Sequence, residues 1–245
     1  MSLYEYINDI SPVVRGFYPD AVPLNNLMQK VIQSIFNEYD YTPNQILLAN
    51  SICSDDINSL EYPAEARQML GPFELGGLNG FPFTGLTGMS AFASHVPDDG
   101  AVMIFYGPHI GITTHGVIGR VTRSGQHTET GCCGAATAAL DAIDLPPRTE
   151  PLDEQMTFIE NILKNNKKRI LSAEIPETES AEVFFDAIDE RIRLLIEKTS
   201  FSGNHIFLLG GIIINCREKF GSFFSLRKSE VLDPVTKRPV NRLRF

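Results

Sequence analysis

Residues 46–56 of the chain read Ile46-Leu47-Leu48-Ala49-Asn50-Ser51-Ile52-Cys53-Ser54-Asp55-Asp56. The apolar run at the start of this stretch is short and follows Pro43, a pattern typical of a buried β-strand. In an open α/β sheet, ligands bind beyond the carboxyl ends of the strands. Cys53 and Asp55 follow the run, so the stretch predicts a metal or ligand site at that end. The alternative interpretation is a buried structural cysteine and an aspartate in a turn.

The rest of the chain alternates helical and strand-like patterns. Helical spacing of apolar residues is found over residues 23–39, 152–164 and 181–198, and strand-like runs over 101–106, 206–216 and 223–226. This alternation predicts an α/β fold. There is no internal repeat and no clear linker, so residues 1–245 are interpreted as a single domain. Its parts would be an N-terminal helix at about 23–39, a core at about 45–226 and a C-terminal arm at 233–245.

The composition excludes several classes of protein. Hydrophobic residues make up 43% and charged residues 21%, as in ordinary soluble globular proteins. The net charge of -9 and the lack of a Lys/Arg stripe argue against nucleic acid as a partner. The longest apolar run, residues 206–214, is interrupted by Gly210 and Gly211 and is too short to span a membrane.

Cysteine usage and the N-terminus bear on the compartment. The cysteines at positions 53, 132, 133 and 216 do not form the framework of a secreted disulfide-bonded protein, which indicates a reducing compartment. The N-terminus has neither an apolar signal core nor an Arg-rich presequence. We therefore expect a soluble protein of the cytoplasm, or of a plastid if a transit peptide has been removed.

Two further residues complete a candidate metal site with Cys53. His109 comes directly after a strand-like run and a Gly-Pro break, and Cys133 precedes a helix of small residues whose N-terminal amides favour a thiolate. A Cys, His, Cys set is a reasonable three-ligand zinc site with an open fourth position. The spacing differs from the Cys-x-x-Cys pairs of structural zinc modules, which favours a catalytic site. Cys132 in place of Cys133 is the alternative.

Residues 71–88 combine many glycines with two prolines and three phenylalanines. A flexible linker would lack the aromatic residues, so the segment predicts an ordered loop that approaches something closely. That partner is either a ligand pocket or the body of the protein, since a packed surface loop has the same composition.

Four motifs together resemble a known family. They are CSDD at 53–56, GGLNGFPFTGLTGMSAF at 76–92, VMIFYGPHIGI at 102–112 and TGCCGAATAAL at 130–140. In this order they resemble the algal limiting-CO2-inducible B/C proteins, a group of β-class carbonic anhydrases. The resemblance runs from about residue 31 to about residue 226. It implies a β-carbonic-anhydrase type of fold, with a central, mostly parallel sheet flanked by helices, a catalytic Zn²⁺ and a homodimer.

The resemblance also implies roles for single residues. Cys53 and Asp55 fit the β-class pattern Cys-x-Asp-x-Arg, but position 57 is isoleucine. Arg67, in a short helix predicted at 63–70, is the candidate for the missing arginine. The Cys-Gly pair at 133–134 looks like the helix start of the β-class, which makes Cys133 the ligand. The spacing from His109 to this cysteine departs from the general β-class and looks like that of the B/C proteins.

The reaction implied is the reversible hydration of CO2 to bicarbonate by zinc-bound hydroxide. Asp55 would either accept a hydrogen bond from this hydroxide or bind zinc itself, and a salt bridge to Arg67 would hold it off the metal. Phe81, Phe83 and Phe92 would form an apolar slot for CO2, or else are plain core residues. His127 is a further candidate, as a proton shuttle.

Two other functions fit the same residues. One is a catalytically silent zinc-binding scaffold of a CO2-concentrating system, which a measurement of CO2 hydration would distinguish. The other is a hydrolase with a cysteine nucleophile and His109 as base, which would need no zinc.

Overall fold

The computed structural model describes residues 3–58, 66–217 and 221–245. Its helices are α1 (Leu3–Phe17), α2 (Leu24–Tyr39), α3 (Gly85–Ser94), α4 (Gly134–Asp141), α5 (Glu154–Asn165), α6 (Lys167–Leu171) and α7 (Pro176–Glu197). Its strands are β1 (Val22–Pro23), β2 (Ile46–Ser51), β3 (Leu70–Glu74), β4 (Ala101–Tyr106), β5 (His109–Gly111), β6 (Arg120–Val121), β7 (Thr130–Gly131), β8 (His205–Asn215), β9 (Phe223–Leu232) and β10 (Pro239–Asn241). Within the described residues, no helix has the length and apolar character needed to cross a membrane.

One mixed sheet forms the centre of the molecule. Its strand order is β1-β9-β8-β4-β2-β3, with β5 also beside β8 and β10 beside β9. The pairs β3–β2, β2–β4, β4–β8 and β5–β8 are parallel, whereas β9 is antiparallel to its neighbours. The predicted α/β fold with a central, mostly parallel sheet flanked by helices is therefore confirmed.

Helices cover both faces of this sheet. Every residue of β2 and β4 is buried, as expected for parallel strands covered on both sides. Ile46 and Leu48 belong to a core cluster with residues of α2, whereas Leu47 and Ala49 belong to the other cluster, with residues of α3, α5 and α7. The alternation along β2 thus divides the core into two layers.

Some element predictions need correction. The helix predicted at 63–70 falls partly on residues 59–65, outside the described residues; the described part is a 3-10 turn (Ala66–Gln68) followed by β3. The sequence reasoning missed α1, and β9 continues to Leu232 rather than ending near 226. The middle of β9 is partly buried and includes Arg227. Its guanidinium pairs with Glu182 of α7, so this polar residue is accommodated within the strand.

Candidate metal centre

Cys53, His109 and Cys133 converge beyond the carboxyl ends of β2 and β4. One ligand atom from each of these residues lies within 4.8 Å of the other two. All three are buried, with exposed fractions of 6%, 2% and 2%. The fold thus brings together the three residues that the sequence singled out as metal ligands.

Local backbone features position each side chain. Parallel pairing of β2 with β4 aligns the two strand ends. The chain then turns at Gly107, where an added Cβ would lie 1.7 Å from the carbonyl oxygen of Gly211, so only glycine fits this approach to β8. The turn leads into β5, of which His109 is the first residue, while Cys133 directly precedes α4.

The donor atoms fit a tetrahedral zinc ion. The Sγ atoms of Cys53 and Cys133 lie 3.8 Å apart. Two sulfurs bound tetrahedrally at about 2.3 Å would be separated by about 3.8 Å. Nε2 of His109 is buried and has no hydrogen-bond partner in the described part of the chain. A bound cation would satisfy this nitrogen and would compensate the charge of two thiolates, and zinc prefers this donor set.

At the sulfur of Cys53, metal binding would be coupled to loss of the thiol proton. The pKa of the Cys53 thiol is raised by its hydrogen bond with the Cys133 thiol and by burial. The backbone N–H of Asn79 donates to the same sulfur over 3.2 Å, an interaction that supports negative charge on it. Deprotonation of two adjacent buried thiols needs a compensating positive charge, so metal binding releases protons here.

An arginine holds Asp55, which follows Cys53 by two residues. Nη2 of Arg123 donates to both carboxylate oxygens of Asp55, over 2.6 and 2.8 Å, and Nη1 donates to Asp56 over 2.7 Å. Burial raises the pKa of Asp55 and the hydrogen bonds from Arg123 lower it, with a net pKa below the usual value. Asp55 is therefore an ionised acceptor in a fixed orientation.

The arginine seen to contact Asp55 in the described structure is Arg123, whereas the sequence pointed to Arg67. Arg67 has an exposed side chain in the 3-10 turn Ala66–Gln68. Arg123 lies two residues after β6, in the hairpin formed by β6 and β7. Its guanidinium there forms an ion pair with the carboxylate of Asp55. The sequence-based expectation favoured an arginine near in sequence, whereas the ion pair between Arg123 and Asp55 joins residues 68 positions apart.

Residues 21–233 match the family described as limiting CO2-inducible proteins B/C, beta carbonic anhydrases. The chain belongs to this family.

Solved structures agree with this assignment. The crystal structure of PtLCIB4, a homologue of the limiting CO2-inducible protein LCIB, is 29% identical, with a TM-score of 0.84 over 95% of this chain and 99% of that one. The crystal structure of LCIB itself is 18% identical, with a TM-score of 0.65 over 92% and 96% of the two chains, and supports the fold alone. No curated protein matches the sequence.

In this LCIB/C-family chain, the two adjacent cysteines make different contacts near His109. The metal-ligand cluster contains Cys133. Sγ of Cys132 instead lies 3.6 Å from Nδ1 of His109, the nitrogen on the other side of the ring from the unpaired Nε2. This geometry favours Cys133 over Cys132 as the ligand.

The sequence reasoning also missed Asn215, the last residue of β8. Its Oδ1 lies 2.8 Å from Nδ1 of His109, and its side chain is fully buried. Its Nδ2 lies 3.1 Å from Oγ of Ser222 and 3.4 Å from Oδ1 of Asn58. The available signal was an asparagine near the end of an otherwise apolar run.

The three phenylalanines proposed for a CO2 slot fall into two ring clusters. Phe81 and Phe83 contact each other, with ring centroids 5.0 Å apart, and both contact Phe158. Phe92 is fully buried and packs with Phe73 and Phe201. The substrate role of Phe81, Phe83 and Phe92 stays a prediction.

A cavity of about 160 Å³ lies against His109, Cys132 and Cys133. Residues of α4 and α7 form much of its wall, which mixes apolar side chains with hydroxyl and charged groups. Its apolar lining residues are Ile110, Ile118, Ala136, Leu140, Ala181 and Phe184.

His127, the suggested proton shuttle, has an exposed side chain in the β6–β7 hairpin, and its role stays a prediction.

Proposed function

We propose that this LCIB/C-family protein is a zinc-dependent carbonic anhydrase that hydrates CO2 reversibly to bicarbonate. The observation that carries the proposal is the convergence of Cys53, His109 and Cys133, with two sulfurs 3.8 Å apart and a buried imidazole nitrogen that has no hydrogen-bond partner among the described residues. These three residues would hold the zinc. When bound, zinc lowers the pKa of its water from 15.7 to about 7 in the best cases and so supplies a nucleophile at neutral pH.

The chain would contribute orientation and charge. Asp55 accepts hydrogen bonds but donates none while it is ionised, and Arg123 fixes both of its oxygens. It can therefore accept a hydrogen bond from the nucleophile and direct the remaining lone pair towards CO2. Because Arg123 already compensates the negative charge of Asp55, binding of this carboxylate to the metal, which would fill the substrate position, becomes less favourable.

The test is metal content together with turnover. The chain is purified under reducing conditions without chelator, zinc is measured by mass spectrometry, and CO2 hydration is followed by stopped flow. We expect about one zinc per chain and hydration well above the buffer rate. Zinc without hydration would favour the silent scaffold, and a chain without zinc would remove the proposal and leave the cysteine hydrolase as the next candidate.

Adjacent cysteines offer a matched pair of variants. Cys133→Ser should lose most of the zinc and the activity, because it removes a ligand. Cys132→Ser should keep both, because its side chain faces the other nitrogen of His109. The reverse result would assign the site to Cys132.

Family membership also motivates the assembly we propose, a homodimer of one-domain chains. Light scattering coupled to size exclusion would test it. The compartment, cytoplasm or plastid, stays a prediction.

A further inference from the structure

We propose that Asn215 is a positioning residue that holds the hydrogen of His109 on Nδ1 and so directs the lone pair of Nε2 at the metal position. The inference rests on the proposed zinc site. It starts from one contact: Oδ1 of Asn215 lies 2.8 Å from Nδ1 of His109, with both side chains buried, at 0% and 2% exposed.

The orientation of the Asn215 amide follows from its other neighbours. Nδ2 has two oxygens within reach, Oγ of Ser222 at 3.1 Å and Oδ1 of Asn58 at 3.4 Å. Both can accept its hydrogens, so in this orientation Nδ2 has acceptors and Oδ1 is left facing Nδ1 of His109. The amide nitrogen therefore faces these oxygens, and the amide oxygen faces His109.

The tautomer of His109 follows from that orientation. An amide oxygen only accepts hydrogen bonds, so Nδ1 of His109 is the donor. A neutral imidazole with hydrogen on Nδ1 carries its lone pair on Nε2. This nitrogen has no hydrogen-bond partner in the described residues, and its residue, His109, belongs to the cluster with Cys53 and Cys133.

The sheet fixes the distance between the two residues. β5 runs parallel to the end of β8, so that Gly111, two residues after His109, pairs with Asn215. The backbone N–H of Ile112 donates to the carbonyl oxygen of Asn215 over 2.9 Å. Both side chains are thus carried by paired backbone, which limits their movement relative to each other.

Cys132 is the other group near Nδ1 of His109, but it cannot replace the asparagine. Its Sγ lies 3.6 Å from this nitrogen and 3.6 Å from Oδ1 of Asn215. Sulfur is a weak hydrogen-bond acceptor, and the amide oxygen is closer by 0.8 Å, from 3.6 and 2.8 Å. Asn215 is therefore the group that sets the tautomer.

The first experiment compares two substitutions of similar size. Asn215→Leu removes the acceptor, whereas Asn215→Asp keeps an oxygen for the Nδ1 hydrogen. Zn²⁺ affinity is measured by competition with a chromogenic chelator on the 245-residue chain. Loss of the partner of a metal-binding histidine typically weakens metal affinity by about 10–100-fold, and we expect this for Asn215→Leu. Asn215→Asp should stay within about threefold of the unmodified chain, because its carboxylate accepts the same bond.

Asn50→Leu is the matched control. Asn50 is another buried strand asparagine, 3% exposed, and its amide lies 3.3 Å from Glu74 rather than from the histidine. Its substitution should leave zinc affinity unchanged, and thermal melting of each variant checks that it folds. If Asn215→Asp lost as much affinity as Asn215→Leu, or if Asn215→Leu bound zinc normally, the positioning role would be overturned.

A second measurement decides the tautomer without relying on turnover or on metal affinity. Nitrogen–proton correlation spectra of the imidazoles should show hydrogen on Nδ1 of His109 in the unmodified chain, and this signal should be lost or shifted in Asn215→Leu. Hydrogen on Nε2 in the unmodified, metal-free chain would overturn the inference. A chain that binds no zinc yet shows hydrogen on Nδ1 would instead refute the proposed function and retain the assignment of Asn215.

Discussion

Substitution of Arg123 by alanine tests the part of the site that the sequence did not reveal. Arg123 donates to both oxygens of Asp55 and to one oxygen of Asp56. The pair with Asp55 is largely shielded, with side chains 17% and 19% exposed, whereas Asp56 is 77% exposed. The substitution therefore removes one shielded ion pair and one that solvent screens.

The magnitude follows from this difference in exposure. A hydrogen bond to a charged group contributes about 1.5–3 kcal/mol, whereas an exposed pair such as that with Asp56 contributes about 0–1 kcal/mol. If the orientation of Asp55 depends on the shielded pair, the transition state loses about 1.5–3 kcal/mol. Since about 1.4 kcal/mol corresponds to a factor of ten in rate, kcat/KM should fall about 10–100-fold.

Zinc should remain bound in Arg123→Ala. Without its counter-charge, Asp55 has the metal as the strongest remaining cation nearby, so it should turn towards the metal and occupy the substrate position. The CO2 hydration activity of Arg123→Lys should lie between those of the unmodified chain and Arg123→Ala. An ammonium keeps the positive charge but cannot form the same planar, two-oxygen contact.

Stopped-flow CO2 hydration and zinc analysis on the same samples measure both effects. Arg67→Ala is the matched comparison, because Arg67 is the arginine that the sequence favoured and it lies in an exposed turn. We expect Arg67→Ala to keep hydration within about twofold of the unmodified chain, well inside the factor of ten that 1.4 kcal/mol would give. Full activity of Arg123→Ala, or an equal loss in Arg67→Ala, would refute the reasoning from the Asp55 pair.

Two further predictions concern stability. Removal of zinc with a chelator should lower the melting temperature, because a ligand held by the folded state at about 1,000 times its Kd adds about 4 kcal/mol; an unchanged melting curve would speak against a bound metal. Phe92→Ala should lower the free energy of unfolding in urea by about 3–5 kcal/mol, as for other buried phenylalanines, while zinc content is kept. Phe83→Ala should lower the free energy of unfolding by less, because Phe83 is only partly buried. If Phe92→Ala lost CO2 hydration without losing stability, Phe92 would instead be assigned to the substrate slot.

The fold and the convergence of Cys53 and His109 could be predicted because they depend on local patterns. β2 and β4 are short, fully buried strands that begin with apolar runs and are followed by polar or breaking residues, so their ends could be located within a residue or two. Cys53 and His109 follow those ends directly, and parallel strands bring their carboxyl ends to one edge of the sheet. Periodicity and strand parallelism together therefore sufficed for these residues.

Arg123 and Asn215 could not be predicted in the same way, because their contacts depend on tertiary pairing. The ion pair between Arg123 and Asp55 spans 68 positions, and the bond between Asn215 and His109 spans 106. β6 and β7 contain two residues each, too few to show a period.

The isoleucine at position 57 connects these two results. The β-class pattern led us to expect arginine there, but Ile57 is 3% exposed and packs in a small cluster with Val121 and Cys132. Val121 belongs to β6, two residues before Arg123, and Cys132 directly precedes Cys133 of the candidate metal centre. The apolar side chain at position 57 therefore helps to anchor the hairpin that delivers the guanidinium to Asp55. In this chain Ile57 takes the place of the arginine of the motif, and Arg123 supplies the guanidinium instead. Ile57 packs against the hairpin that carries Arg123, so position 57 supports the charge beside Asp55 indirectly.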